Sequence, residues 1–229
     1  MQEAWAIREI NDEVIKISKQ FGVNNIIHYG GPGITENGEP IDNFNKYKDL
    51  NEKLKSENLN LVGVESGFFI DPFYWDVVTA GPKRDELIND LIIQIKDMAR
   101  AGVQMLGYTW MPLGPIRTEP KIIRGGSYGT AFDIKSNNLE LAGKNSIKIE
   151  HSNSFPINDI NFLTEEMLWQ NLEYWIKAVT PVAEEEGIRL GIHPDDPPVD
   201  KLGGVPRIMT SFDAFKRLIE IYPSDSNAI

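Results

Sequence analysis

The 229-residue sequence contains no cysteine, so neither a disulfide framework nor a thiolate metal site can form within it. Basic residues are also scarce, because 23 Lys and Arg stand against 34 Asp and Glu, for a formal net charge of -11. This charge repels nucleic acids and anionic membrane surfaces and argues against both as partners. A small anionic substrate is still compatible with it, since a few arginines or a metal ion can reverse the field inside one pocket.

The sequence also lacks long apolar runs. No stretch reaches the roughly 18 apolar residues that cross a bilayer, and residues 1–5 carry no basic segment followed by an apolar core. We therefore expect a soluble, cytoplasmic protein with no membrane partner. With 41% hydrophobic and 25% charged residues, the composition is typical of a globular protein, and the length predicts one domain over residues 1–229.

Four apolar runs are predicted to be strands, and each follows a segment with helical spacing of its apolar residues. The predicted strands are Asn25–Tyr29, 59–64, 103–110 and 188–193, and the predicted helices are 7–21, 46–57, 85–101, 164–186 and 212–222. We expect Pro181 to kink or divide the fourth helix, because proline lacks the N–H that bonds one turn back. Alternating helices and apolar strands predict an α/β fold, a partial or complete (β/α)8 barrel of parallel strands with covering helices.

The same pattern predicts a barrel that is incomplete at both ends. A whole barrel has eight strands and about 250 residues, whereas four strand signals are present, no strand precedes the first helix, and only Ala228 and Ile229 follow the last turn. We expect roughly the second to fifth barrel strands, whose exposed sheet edges favour a homo-oligomer. The interval 111–161 is too long for a simple connection, and its proline, glycine and polar residues predict a lid or a disordered segment.

The segment His193-Pro194-Asp195-Asp196-Pro197-Pro198 follows the fourth predicted strand, where β/α proteins carry their sites. An imidazole there suits a divalent ion of the Mn²⁺, Fe²⁺ or Zn²⁺ kind. The prolines hold Asp195 and Asp196 in place. Because adjacent carboxylates repel each other, one of them should serve a metal-bound water, the substrate or a neighbouring arginine. The alternative is structural, with both carboxylates capping the turn before the prolines.

Other strand ends and loops supply candidate substrate-binding residues. Arg207 follows two glycines, and Arg117 lies on the loop after Trp110; guanidinium groups bind carboxylates bidentately. The alternatives are a solvated surface arginine at 207 and a core tryptophan at 110. His28 is the last residue but one of the first predicted strand and lies just before the glycine-rich residues 30–33, which match neither the dinucleotide nor the Walker pattern. Glu65 directly follows the second predicted strand.

The segment 193–198, together with Gly204-Val205-Pro206-Arg207-Ile208 shortly after it, closely resembles the mannonate dehydratase family. Tyr108-Thr109-Trp110-Met111-Pro112, followed by Arg117-Thr118, looks like the corresponding strand end and loop of that family, and residues 84–88 are similar to its preceding helix. The resemblance covers most of the chain and is strongest over 188–221.

The resemblance implies a xylose isomerase-like barrel that dehydrates D-mannonate, or a related aldonic acid, to 2-keto-3-deoxy-D-gluconate in hexuronate catabolism, with Mn²⁺ or Fe²⁺ as cofactor. It implies that His193 is one metal ligand, while the family's Cys, second His and Asp ligands and its catalytic Tyr are expected beyond residue 229. Asp195 and Asp196 are then catalytic candidates, and the candidates for binding a small anionic sugar acid are Arg117, Arg207, Trp110 and His28.

The residue types suit this chemistry. Removing the proton next to a carboxylate needs a metal or cationic donors to stabilise the developing charge, and loss of the β-hydroxyl needs a general acid. Two alternatives stay open: a sugar isomerase or epimerase on the same scaffold, and a non-catalytic protein that binds sugar acids. With one metal ligand present, we expect the chain alone to have weak or no activity.

Overall fold

The computed structural model describes residues 3–30, 42–66, 68–70, 72–135, 160, 162–202 and 204–229. The helices are α1 (Asp12–Phe21), α2 (Asn43–Ser56), α3 (Trp75–Thr79), α4 (Arg84–Arg100), α5 (Glu165–Glu186) and α6 (Phe212–Ile221). The strands are β1 (Trp5–Ile7), β2 (Asn25–Tyr29), β3 (Asn60–Ser66), β4 (Met105–Thr109), β5 (Thr118–Ile122), β6 (Tyr128–Ala131), β7 (Arg189–His193), β8 (Lys201–Leu202), β9 (Val205–Pro206) and β10 (Asn227–Ala228). Short 3-10 turns lie at Phe68–Ile70, Pro72–Tyr74 and Arg124–Gly126. None of the described helices is long and apolar enough to cross a membrane.

Six strands form one sheet in the order β1, β2, β3, β4, β7, β10, and all neighbours are parallel. Each neighbour is also the next of these strands along the chain, without the reversal of order that marks a doubly wound sheet. This winding is that of a (β/α)8 barrel, and among the described strands β1 and β10 stand at two open edges. The predicted α/β fold of partial barrel type is confirmed.

The prediction of four strands is wrong, because the sheet extends by one strand at each edge. β1 precedes the first helix and takes up Ile7, which the periodicity placed in that helix. β10 begins where the sequence left room for a strand, and it pairs with β7 through Asn227 and Leu190. These strands have three and two residues, which is too short for a periodic signal in the sequence.

Helix α5 runs unbroken across Pro181, so of the two outcomes predicted for this proline, division of the helix is wrong and a kink stays a prediction. Packing of one helix face outweighs the single hydrogen bond that proline removes, and that face buries Leu168, Leu172, Trp175, Ile176, Val179 and Ala183. Thr164 caps the first turn, and its hydroxyl accepts from the Met167 N–H at 3.2 Å. Gly187 ends the helix with a φ of 71°, which glycine adopts without strain.

Residues 111–135 and 160 are the described part of the long interval 111–161. The strands β5 and β6 form an antiparallel hairpin within it, so the prediction of disorder is wrong for residues 118–131, while a lid stays a prediction. A second short antiparallel pair, β8 with β9, lies in the loop after β7. Residues 136–159 and 161 lie outside the described residues, as do 31–33 of the glycine-rich stretch after His28.

Candidate active site

Side chains alternate along β4 and β7 and thereby give the sheet two distinct faces. The outer face is buried against the helices by Leu106, Tyr108, Leu190 and Ile192, and the Tyr108 ring lies 4.5 Å from the ring of Trp175 on α5. The alternate residues point to the opposite side, which we call the inner face. Thr109 and His193 are paired there at the carboxyl ends of their strands, where barrels carry their sites.

The His193 imidazole is held in one tautomer. Its Nδ1 lies 2.6 Å from the carbonyl oxygen of Pro194, and a carbonyl can only accept, so Nδ1 donates and, in the neutral ring, Nε2 keeps its lone pair. A hydrogen bond from one ring nitrogen that leaves the other free is the arrangement of metal-binding histidines. The structure therefore prepares His193 to act as a ligand through Nε2.

Glu65 shares the inner face with His193. The register aligns Glu65 with Tyr29 on one side and Gly107 on the other, one level below Thr109 and His193. The Tyr29 hydroxyl is hydrogen-bonded to the Glu65 carboxylate. Burial raises the pKa of Glu65, although positive charge at His193, the Tyr29 hydroxyl and Arg8 oppose the shift. Perturbed carboxyl groups of this kind cluster at functional sites.

Arg8 completes this side of the inner face. It follows β1, and its guanidinium carbon lies 5.6 Å from the centroid of the Tyr29 ring. No sequence pattern pointed to a role for Arg8, Tyr29 or Thr109, and Glu65 stood out only by its position after a predicted strand. One signal in the sequence could have identified Glu65 as a site residue: it is a charged residue directly after an apolar run. The structure shows that the strand continues through it, since β3 extends to Ser66.

Asp195 and Arg207 lie below the loops in a buried ion pair. Arg207 Nη1 donates to Asp195 Oδ1 at 3.2 Å and Nη2 donates to the Gly114 carbonyl at 2.8 Å. The other Asp195 oxygen accepts from the Met209 N–H at 2.6 Å. Burial works against both charges, raising the pKa of Asp195 and lowering that of Arg207. The pair thus ties the loop after β4 to the loop after β7, and the structure does not leave Arg207 free for a substrate.

Asp196 forms a second, accessible ion pair with Arg117. About a third of each side chain is exposed, 32% for Asp196 and 33% for Arg117. Both aspartates therefore have an arginine partner, which is one of the arrangements that the sequence left open. Of the two pairs, this one can exchange its contacts with a ligand, because its groups already face water.

The structure places Trp110 and His28 away from the inner face. Trp110 is 2% exposed and packs edge-on against Phe69 at 4.7 Å, which is a core position. His28 is registered with the buried Val64 and so faces α2, where the Lys46 ammonium and burial both lower its pKa, against a backbone hydrogen bond with Ile7. These two candidates are thus not brought together with His193.

The residues present fit a divalent ion only in part. His193 offers a nitrogen donor, yet within the described part of the chain no group of three or more His, Asp or Glu side chains is placed to hold a metal ion. Mn²⁺ and Fe²⁺ need further donors. His193 therefore suits the position of a single ligand.

Comparison with known proteins identifies a family that matches almost the whole chain. The D-mannonate dehydratase (UxuA) family matches residues 4–229. The mannonate dehydratase of Streptococcus pneumoniae (strain 70585) is 33% identical over 201 residues, which cover 83% of this chain and 53% of that protein. The one from Streptococcus suis (strain 05ZYH33) is 32% identical over the same coverage. The chain thus spans about half the length of these relatives.

Solved structures show the same architecture. The crystal structure of mannonate dehydratase from Streptococcus suis serotype 2 aligns with a TM-score of 0.76 at 27% identity, covering 100% of this chain and 62% of that one. The 3-keto-D-glucoside 4-epimerase YcjR from E. coli aligns at 0.51 with 9% identity, covering 96% and 64%, a likeness of fold alone. On the strength of a match that runs through nearly every described strand and helix, the chain belongs to the D-mannonate dehydratase family.

Proposed function

We propose that this chain forms part of the active site of a divalent-metal-dependent hydro-lyase, which dehydrates D-mannonate or a related aldonic acid to 2-keto-3-deoxy-D-gluconate. The observation that carries the proposal is His193, whose free Nε2 lies at the carboxyl end of a barrel strand in a chain of this family. We propose Mn²⁺ or Fe²⁺ as the ion. When bound, it would stabilise the negative charge that develops as the proton next to the carboxylate is removed.

The chain's own residues would supply orientation and charge. Arg117 is the guanidinium best placed to bind the substrate carboxylate, because its present partner is exposed and exchange costs little. When Arg117 turns to the substrate, Asp196 is released as a carboxylate near the reacting atoms, where it can accept or return a proton. Asp195 and Arg207 hold both loops in position, and Trp110 and His28 support the sheet from its outer face.

Turnover of D-mannonate tests the reaction. With Mn²⁺ present, the protein as its cell makes it should form a 2-keto acid with loss of one water, and His193→Ala should abolish both product and bound metal. An isomeric sugar acid as the product would instead establish an isomerase or epimerase. Tight binding without any product would establish a sugar-acid-binding protein. The isolated 229-residue chain should be weakly active or inactive.

We further propose that residues 1–229 form one domain of a cytoplasmic enzyme of hexuronate catabolism that assembles as a homo-oligomer. The described sheet leaves β1 and β10 with unpaired edges, and unpaired edges favour association unless they are covered. Light scattering coupled to gel filtration measures the assembly directly, and a monomer at micromolar concentration would contradict it.

A further inference from the structure

The inner face carries little side-chain bulk one level below His193, and we call this region the hollow. One level below that residue, the register lines up Glu65, Gly107, Gly191 and Ala228 across four strands. Gly107 and Gly191 have no side chains, and among the described residues a Cβ added at Gly191 would meet nothing nearer than the backbone of Ile229 at 4.0 Å. The floor of this hollow is therefore mostly backbone.

Glu65 stands at one side of the hollow, and its side chain occupies space that the absence of a side chain at Gly107 leaves open. A Cβ at Gly107 would lie 3.2 Å from Glu65 Cγ, a tighter approach than ordinary packing allows. The Glu65 carboxylate has about four acceptor sites, of which the Tyr29 hydroxyl takes one. Its remaining capacity suits hydrogen-bond donors from a ligand.

Thr109 gives a second, independent indication of a ligand. The side chain is 5% exposed, and its hydroxyl has no hydrogen-bond partner among the residues that the structure describes. Buried hydroxyls are nearly always bonded, and an exception needs an explanation. Thr109 lies next to His193 in the register, so it stands on the inner face, one level above Gly107 at the edge of the hollow.

We propose that Glu65 and Thr109 form a hydroxyl-binding subsite that selects polyhydroxy acids. Glu65 accepts a hydrogen bond from one hydroxyl of the sugar-acid chain, and the Thr109 hydroxyl bonds the same or the next one. The substrate carboxylate lies away from this subsite, because two carboxylates side by side repel each other. The inference rests on the proposed function for its substrate, and it adds the residues that recognise the polyol part.

The test uses two variants that remove groups with unused hydrogen-bonding capacity in the free protein. In Mn²⁺-loaded protein as its cell makes it, Glu65→Gln and Thr109→Val should each weaken the calorimetric affinity for D-mannonate about tenfold. Valine cannot form a hydrogen bond, and glutamine keeps an acceptor oxygen but loses the charge that strengthens the bond. The melting temperatures of both variants should stay level or rise, since neither change removes a strong internal contact. A structural role would lower the melting temperature and leave the affinity unchanged, which would overturn the proposal.

Matched controls exist for both variants. Thr180 on α5 is also buried, at 0% exposure, with a hydroxyl that has no partner in the described residues, so Thr180→Val repeats the chemistry of Thr109→Val inside the helix layer. Glu52→Gln repeats the charge loss on the exposed surface of α2. Both controls should bind D-mannonate as the parent protein does.

Aldonates that lack one chain hydroxyl identify the contact. The analogue without the hydroxyl bound by Glu65 should bind about tenfold more weakly to the parent protein, and Glu65→Gln should then add no further loss. A Glu65→Gln protein that retains full affinity, or that loses Mn²⁺ as completely as His193→Ala, would overturn the proposal. Binding of D-mannonate without product would contradict the dehydratase function and leave the subsite standing. Absence of aldonate binding at millimolar concentration would overturn the subsite itself.

Discussion

Asp195 and Asp196 are adjacent in the sequence, yet their ion pairs differ in environment. The side chains of Asp195 and Arg207 are 0% and 2% exposed, whereas those of Asp196 and Arg117 are 32% and 33% exposed. A buried charge that loses its partner has no water to replace it, while an exposed one does. Two adjacent residues of one short motif therefore have different roles: Asp195 stabilises the loops, and Asp196 makes a contact that a ligand can replace.

The largest expected effect is on the buried pair. Arg207→Ala should lower the free energy of unfolding by about 3–5 kcal/mol, because it leaves the Asp195 charge buried and unpaired and also removes the bond to the Gly114 carbonyl. Urea unfolding measures the loss. Arg117→Ala is the matched control, with an expected loss of about 0–1 kcal/mol. Equal losses from the two variants would show that the comparison is mistaken.

The exposed pair should affect the substrate rather than the fold. Arg117→Ala should raise KM for D-mannonate about tenfold, the contribution of one charge-assisted contact, while the melting temperature changes little. Arg117→Lys should restore part of the affinity, because it keeps the charge and loses the bidentate geometry. An unchanged KM in steady-state kinetics would remove Arg117 from the proposed substrate site.

The contrast also marks how far the sequence could predict the site. The long helices and four of the sheet strands were predictable because their periodic apolar residues extend over several turns or residues. The motif at 193–198 was predictable as a site. Which of its two aspartates is buried was not predictable, because Asp195 and Asp196 are the same residue type and adjacent in the sequence. Only the register, including the shift between Ile26 and Ile27, shows that Tyr29 faces Glu65 while His28 faces the helices.

A smaller effect should appear in the pH dependence of stability, because His28 lies on the buried outer face of the sheet and not on the inner face. Burial and the Lys46 ammonium lower the pKa of His28 in the folded state. Below the ordinary histidine value of 6.5, the unfolded chain then binds more protons than the folded chain, so stability falls as the pH is lowered. His28→Asn should flatten urea midpoints between about pH 5 and 7, and an unchanged slope would contradict the assignment of His28 to the outer face.

Salt should separate the two ion pairs by the smallest but most specific effect. At 1 M salt the screening length is about 3 Å, so the coupling between Asp196 and Arg117 should fall toward zero, from a starting value of about 1 kcal/mol or less. The coupling between Asp195 and Arg207 should persist, because ions do not reach that pair. Double-mutant cycles with Asn and Ala, measured by urea unfolding at low and high salt, give both values. If both couplings responded equally to salt, Arg207 would have to be as accessible as Arg117, and its exclusion from the substrate site would no longer hold.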